Sequence, residues 1–382
     1  MPSLIRDRAT STSAMLAVFG DEALLRAALA FEAMLARAQA EAGLIPASAA
    51  DVIAAACAQL PDVETLADEA AHAGTLAIPL VVIIRKRIND PEVAKLAHKG
   101  ATSQDLADTA LMLQAKAGAA LIVEEARRLE VALAALAETH AATPMLGRTL
   151  LQAALPISFG LKVAGWLQGL SGALARFQCE TAAIQLQLGG ATGSLAGLDG
   201  QARAVTDRLA VLLDLPAADT PWHARREGLA GLASSLAILT GAVGKVAGDI
   251  ALLAQNEVAE AFEPRVEGRG GSSAMAHKRN PTGCQVALTA ATRAPHLAAT
   301  IVAALPQQHE RGLGGWQAEA PVLADLFQLT HGALAAMAPV IEDLEVDTDR
   351  MAANLAAAKV GTDMGESEAL VHRALAAYQK DR

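Results

Sequence analysis

The feature that most constrains the fold is a long apolar stripe between residues 228 and 262. Apolar residues recur there at alternating spacings of three and four, which places them on one side of an α-helix. These residues are Leu229, Leu232, Leu236, Leu239, Val243, Val246, Ile250 and Leu253. A helix over the whole segment would be roughly 50 Å long, and only other long helices could cover it. The stripe therefore predicts a helical bundle.

Four further segments have helical periodicity, and they span residues 105–141, 156–187, 283–304 and 322–342. The composition agrees, because 53% of residues are hydrophobic, only 3% are aromatic, and alanine and leucine dominate. Alanine and leucine favour helices, whereas a sheet protein would be richer in β-branched and aromatic residues. We therefore predict an all-α fold.

Prolines break the first hundred residues into shorter helices, and a third piece begins near Val346, where Asp347 is positioned to cap a helix. We predict a small N-terminal helical domain over residues 1–104, a central bundle of long helices over 105–345, and a short C-terminal helical segment over 346–382.

Charge and hydropathy limit the possible partners. The net charge of −10 disfavours nucleic acid and anionic membranes. The longest uncharged stretch, residues 228–244, is shorter than the roughly 20 apolar residues that a bilayer requires. The N-terminus lacks the apolar block of a secretory signal, and three widely spaced cysteines fit a reducing compartment. We expect a cytoplasmic protein with no nucleic-acid or membrane partner.

Common phosphate-loop, dinucleotide, zinc-helix and nucleophile-elbow motifs do not occur in the sequence. The most informative polar segment is residues 264–281, which contains Gly268, Gly270 and Gly271 and is rich in basic residues. A solvated linker is one interpretation. A mobile lid over an anionic substrate is the other, and the paired serines, methionine and Asn-Pro of residues 272–281 favour it.

Four other polar segments between helices each allow a structural and a functional interpretation. In residues 98–105, Thr102 fits a helix capping box, and the same hydroxyls and free amides could bind a carboxylate. Arg148 is either a surface residue after a turn or a carboxylate ligand. Residues 189–194 form either a helix stop or a backbone packed against a ligand, and residues 308–316 form either a capped loop or part of the bundle mouth.

Residues 271–281 resemble the signature loop of the fumarase/aspartase superfamily, Gly-Ser-Ser-x-Met-Pro-x-Lys-x-Asn-Pro, with Ala276 in place of the proline. Segments 98–105 and 189–194 are similar to two further regions of that superfamily, in the same order. Resemblance covers roughly residues 14–345. Within the superfamily, segments 100–105, 221–223 and 309–311 are most similar to the bacterial 3-carboxy-cis,cis-muconate cycloisomerases.

This resemblance implies a fumarase/aspartase-like fold with a truncated C-terminal domain, and a homotetramer whose active sites each combine segments of three subunits. It implies a small polycarboxylate substrate and neither cofactor nor metal. The implied reaction is lactone formation from 3-carboxy-cis,cis-muconate, in the β-ketoadipate pathway of aromatic degradation. Catalysis would fall to Ser272, Lys278 and Asn280. The substrate-binding residues implied are His98, Thr102, Ser103, Arg148, Thr149, Gln152, Ser273, Met275, His309 and Arg311.

Two departures from the superfamily keep alternatives open. Leu150 stands where many of its lyases have a histidine, and Ala153 stands where the cycloisomerases often have one. The first alternative is another superfamily lyase that forms fumarate by β-elimination, with adenylosuccinate lyase nearest by loop sequence. The second is a catalytically silent structural paralogue.

Overall fold

The computed structural model describes residues 4–271, 275 and 278–380, and helices dominate this part of the chain. The all-α prediction is confirmed, although two small two-stranded sheets accompany the helices. Seven helices come first: α1 (Leu4–Asp7), α2 (Ser13–Val18), α3 (Asp21–Glu41), α4 (Ala47–Ala56), α5 (Val63–Ala73), α6 (Ala77–Lys86) and α7 (Pro91–Leu96).

The remaining helices and strands form the bundle and its connections. They are α8 (Ser103–Thr139), β1 (Pro144–Thr149), β2 (Gln152–Ser158), α9 (Phe159–Ala182), α10 (Ala202–Leu213), α11 (Glu227–Leu253), β3 (Ala261–Phe262), α12 (Thr282–Ala303), α13 (Gly315–Glu342), β4 (Glu345–Val346), α14 (Thr348–Ala358) and α15 (Ser367–Lys380). The predicted cap of α14 is present, because Asp347 Oδ1 accepts a hydrogen bond from the Arg350 amide at 2.8 Å.

Five long helices, α8, α9, α11, α12 and α13, pack together as the bundle. At one end, Arg226 just before α11 pairs with Asp108 in the second turn of α8 and Glu319 near the start of α13. These three helices are therefore parallel. Helices α9 and α12 return in the opposite direction, so the loops that follow α8, α11 and α13 collect at the other end.

All eight residues of the apolar stripe are buried on α11. The helix ends at Leu253 rather than near residue 262, so it is about 40 Å long. The stripe itself also ends at Leu253. Beyond it the chain turns back, since the amide of buried Glu260 donates to the Leu253 carbonyl at 2.9 Å. The longer helix was a wrong prediction because the pattern gave no stop signal for this turn.

Strands β1 and β2 form an antiparallel hairpin between α8 and α9, where we predicted no strand. Its two-residue turn is made by Leu150 and Leu151, with left-handed φ values of 51° and 63°. Such turns usually contain glycine or asparagine, so nothing in the local sequence indicates a hairpin.

Among the described helices, α8, α11 and α12 are long and apolar enough to cross a membrane by length and composition. Only 50% of the apolar window of α11 and 28% of that of α12 are buried within the chain. Large apolar side chains are exposed on these two helices, namely Ile238, Leu252, Leu288 and Val302. The bundle thus presents an apolar surface that this chain does not cover by itself.

The predicted boundaries near residues 104 and 345 lie at the start of α8 and at β4. The division into three domains remains a prediction.

Candidate active site

The start of α8, called the Thr102 end below, brings together three of the predicted polar segments: residues 98–105, 189–194 and 308–316. The carboxylate of Asp105, which is fully buried, joins them. Its Oδ2 accepts hydrogen bonds from the amides of Thr102 and Gly190, each at 2.9 Å. Its Oδ1 accepts from the Gly189 amide at 2.8 Å and contacts His223 Nε2 at 2.7 Å. The capping box was correctly predicted. The same Asp105 carboxylate also binds residues 189–194, called the glycine segment below.

Arg311 connects the segment 308–316 to the Thr102 end. Its Nη1 donates to Thr102 Oγ1 at 3.0 Å, and its Nη2 donates to the Ala191 carbonyl at 2.9 Å. Ser103 is half-buried at the first turn of α8, and His309 is exposed on the loop that carries Arg311. The structure therefore groups Thr102, Ser103 and Arg311, as an anion-binding site requires.

His98 lies beside this group and is paired with a buried carboxylate. Its Nδ1 is 2.6 Å from Glu32 Oε1, and Glu32 is 1% exposed. Burial opposes a charge on the imidazole, but the charge and hydrogen bond of Glu32, with a smaller contribution from Asp105, outweigh it and raise the pKa of His98. Glu32 therefore holds the His98 ring in a hydrogen-bonded pair beside Thr102.

A second buried charge cluster lies under the Thr102 end. Arg226 donates to Asp108 at 2.8 and 2.9 Å, donates to both oxygens of Glu319, and lies 4.8 Å from the ring centre of Trp222. Sequence reasoning missed this cluster, as it missed Asp105 and His223 among the site residues. The available signal was the spacing of Asp105 and Asp108, which lie three residues apart and therefore on one side of α8.

Lys278 and Asn280 lie at the opposite end of the bundle, called the Lys278 end below. The Asn280 amide donates to the Gly270 carbonyl at 2.8 Å, while the side chain of Lys278 is exposed. Gly270 has φ of 72°, and a Cβ there would lie 2.6 Å from the Asn280 carbonyl, so only glycine fits. Ser272 and Ser273 lie outside the described residues, and Met275 is 42% exposed.

Two acidic residues anchor this loop. Glu263 accepts the amides of Gly283 and Cys284 at 3.0 and 2.7 Å, at the start of α12. Glu345 forms a bidentate pair with Arg279 at 2.7 and 2.8 Å, and this hydrogen bonding lowers the pKa of the Glu345 carboxyl. Arg279 therefore holds the loop, and Lys278 is left at the surface beside it.

The β1–β2 hairpin also lies at the Lys278 end. Arg148 forms a bidentate pair with buried Glu260, at 2.7 and 2.8 Å. Thr149 and Gln152 are exposed on either side of the turn, and Leu150 is 92% exposed. The structure thus gives the Arg148 guanidinium a protein partner, and its predicted substrate contact is not tested.

The length of α11, about 40 Å, separates the two ends, since Arg226 precedes this helix and Glu260 follows it. The predicted residues consequently form two groups, not one, within a single chain. Among the described residues, no three His, Cys, Asp or Glu side chains are grouped to hold a metal ion. The absence of a cofactor remains a prediction.

A protein-family model described as "Lyase" matches residues 7–295. The chain belongs to this lyase family, and its helical fold is that of the fumarase/aspartase superfamily.

Particular relatives narrow this class. The chain is 48% identical to the 3-carboxy-cis,cis-muconate cycloisomerase of Bradyrhizobium diazoefficiens, over 90% of this chain and 77% of the relative. The crystal structure of 3-carboxy-cis,cis-muconate lactonizing enzyme from Pseudomonas putida matches with a TM-score of 0.87 and 40% identity, over 100% of this chain and 89% of that one. Nitrosuccinate lyase of Streptomyces davaonensis is 39% identical, over 89% of this chain and 74% of the relative.

Proposed function

We propose that this chain is a cycloisomerase that converts 3-carboxy-cis,cis-muconate to 4-carboxymuconolactone in the β-ketoadipate pathway. The observation that carries the proposal is its 48% identity to a relative of that activity over 90% of the chain. The matching lactonizing-enzyme structure, at a TM-score of 0.87, supports it.

The grouped side chains suit a substrate with three carboxylates. In the reaction, one carboxylate oxygen forms a bond to a carbon of the conjugated diene, and the neighbouring carbon takes a proton, so the product is an isomer of the substrate. Between the formation of the carbon–oxygen bond and the transfer of the proton, negative charge builds on the distal carboxylate. At the Thr102 end, Thr102, Ser103, Arg311 and His98 bind carboxylates, with His309 beside them. Their hydroxyls and cations are fixed before the substrate arrives.

Residues of the Lys278 end stabilise the charge that develops. Lys278 and Asn280 bind the aci-carboxylate. The signature loop assigns the proton transfer at carbon to Ser272, and substrate binding to Ser273 and Met275. Thr149 and Gln152 line the hairpin side. Leu150 provides an apolar surface there, where a histidine in other lyases would act as acid or base, and excluding water strengthens each charged contact.

One active site must combine different copies of the chain, because the two groups lie at opposite ends of α11. The exposed apolar faces of α11 and α12 support this, since apolar surface of this kind marks an interface. We therefore propose a cytoplasmic homotetramer in which these faces meet at the centre.

The reaction is tested with the purified protein and 3-carboxy-cis,cis-muconate, by the loss of ultraviolet absorbance of the diene. We expect turnover without added metal or cofactor. Nitrosuccinate is the second substrate to test, because a relative named for it is 39% identical. Fumarate formation from nitrosuccinate without loss of the muconate diene would replace our proposal with a β-elimination.

The shared site is tested by mixing two inactive variants. Arg311→Met disables the Thr102 end, and Lys278→Met disables the Lys278 end. Reassembled together, some sites receive both native ends, so activity should return to a fraction of the wild type. No recovery, with mixed tetramers demonstrated by mass spectrometry, would contradict a site between copies.

A further inference from the structure

Glu260, in the turn after α11, connects three elements of the Lys278 end. Its side chain is fully buried and accepts Arg148 of β1 through both oxygens. Asn354 of α14 donates to Glu260 Oε1 at 2.7 Å. The carbonyl of Glu260 accepts the Asp347 amide at 2.9 Å. The hairpin, the turn and the C-terminal segment are thus joined at one buried carboxylate.

The same C-terminal segment also holds the loop that carries Lys278. Strand β4 pairs with β3 at the start of that loop, and Glu345 pairs with Arg279 next to Lys278. Arg350 donates to the carbonyls of Val258 and Glu257 at 3.0 and 2.9 Å. Residues 345–358, called the C-terminal clamp below, therefore contact both the hairpin and the loop.

The position of Arg148 is determined by the hairpin itself. The β1–β2 register shifts at Gly147, where a Cβ would lie 2.4 Å from the Leu155 carbonyl. Arg148 directly follows this bulge and contacts Glu260, and its side chain keeps 24% exposure. A substrate carboxylate that took Arg148 would leave Glu260 buried without its cation, which is strongly unfavourable.

We infer that the C-terminal clamp positions the hairpin and the Lys278 loop for catalysis, and that Arg148 is a positioning residue that acts through Glu260. This assignment takes Arg148 out of the predicted substrate ligands. The kinetic test of this inference rests on the proposed function, whereas the hydrogen-exchange test does not.

The kinetic test compares Arg148→Met, Glu260→Met and the double variant. Arg148→Met leaves buried Glu260 without its cation, and Glu260→Met leaves the partly exposed Arg148 without its carboxylate. Each single change should lower kcat about 100-fold, since small misplacements in a site have effects of that size. The double variant has no unpaired charge. It should regain at least about tenfold over each single variant, with KM within about threefold of the wild type. A double variant no better than Arg148→Met, with KM raised in both, would show that Arg148 binds substrate.

A second variant tests the clamp without altering the ion pair. Asn354→Ala removes one hydrogen bond to Glu260 and should lower kcat about tenfold. Hydrogen exchange of the amides in residues 144–158 should become faster. If a methionine variant fails to fold, kcat and hydrogen exchange of Asn354→Ala still test the clamp. Unchanged kcat and unchanged exchange would overturn the clamp.

The control is Arg208→Met/Glu41→Met. That pair is also bidentate, at 2.5 and 3.0 Å, and it links α10 to α3, two helices outside the hairpin and the clamp. It should leave kcat and hairpin exchange unchanged. If the wild type does not consume 3-carboxymuconate, the proposed function fails. Hydrogen exchange in Asn354→Ala against this control would still decide the clamp.

Discussion

The two ends of the bundle use charged residues in opposite ways. At the Thr102 end, Asp105, Asp108 and Glu319 are almost completely buried and receive hydrogen bonds from several segments of the same chain. At the Lys278 end, Lys278 is exposed on a glycine-rich loop. One end is thus fixed by its own network, whereas the other is anchored at its borders and presents its functional groups outward. Substitutions in the buried network should therefore lower stability, whereas substitution of the exposed loop lysine should lower catalysis alone.

The largest loss of stability is expected for Arg226→Met. It leaves Asp108 and Glu319 buried without their shared cation, which should lower the free energy of unfolding by about 3–5 kcal/mol. Chemical denaturation measures the change. The control is Arg225→Met, because Arg225 is 54% exposed and should contribute less than about 0.5 kcal/mol. Equal effects of the two variants would remove the distinction between a buried network and surface charge.

Asp105→Asn should have the next largest effect. The amide offers one oxygen acceptor where four donors now meet a carboxylate, so at least one buried donor loses its partner. We expect about 2–3 kcal/mol less stability and a large loss of activity, as Thr102 and the glycine segment shift. Asp199→Asn, the same change on an exposed side chain paired with Lys99, is the control and should have little effect. If Asp105→Asn kept the turnover of the wild type, the network would not position the site.

The His98–Glu32 pair predicts a smaller and pH-dependent effect. The pKa of His98 is raised in the folded state, so the pair stabilises the fold fully below the unfolded pKa, about 6.5. The contribution is lost as the pH rises through the higher folded value. Denaturation from pH 6 to pH 9 should therefore show falling stability in the wild type. In His98→Gln this part of the decline should be absent; an unchanged profile would mean that the ion pair is not coupled to folding.

The comparison also shows what the sequence could predict. Helical periodicity is a local property, and all eight residues of the apolar stripe on α11 are buried as expected. The grouping of Thr102, Ser103 and Arg311 followed from family resemblance. Asp105 could be interpreted only as a cap, because its other partners lie 84 to 118 residues away in the chain. Pairings over such distances have no local signature.

The hairpin at the Lys278 end could not be predicted for a different reason. Leu150 and Leu151 adopt left-handed backbone angles that apolar residues rarely prefer. The turn joins two paired strands, one of which carries the Arg148–Glu260 contact, and the Glu260 partner lies 112 residues away in the chain. Likewise, the fixed spacing of the signature loop identifies Lys278 and Asn280 but does not indicate that they lie far from Thr102.

The smallest stability change is expected for Lys278→Met, and it separates the two ends most sharply. The exposed ammonium can be removed at a cost below about 0.5 kcal/mol, whereas kcat should fall about 10²–10³-fold because a donor to the developing charge is gone. Denaturation and turnover of the same preparation measure both effects. Lys245→Met, an exposed lysine on α11 paired with Asp249, should change neither by much. If Lys278→Met lowered stability as much as Asp105→Asn, Lys278 would belong to the structural network, and catalysis by an outward-facing loop would lose its basis.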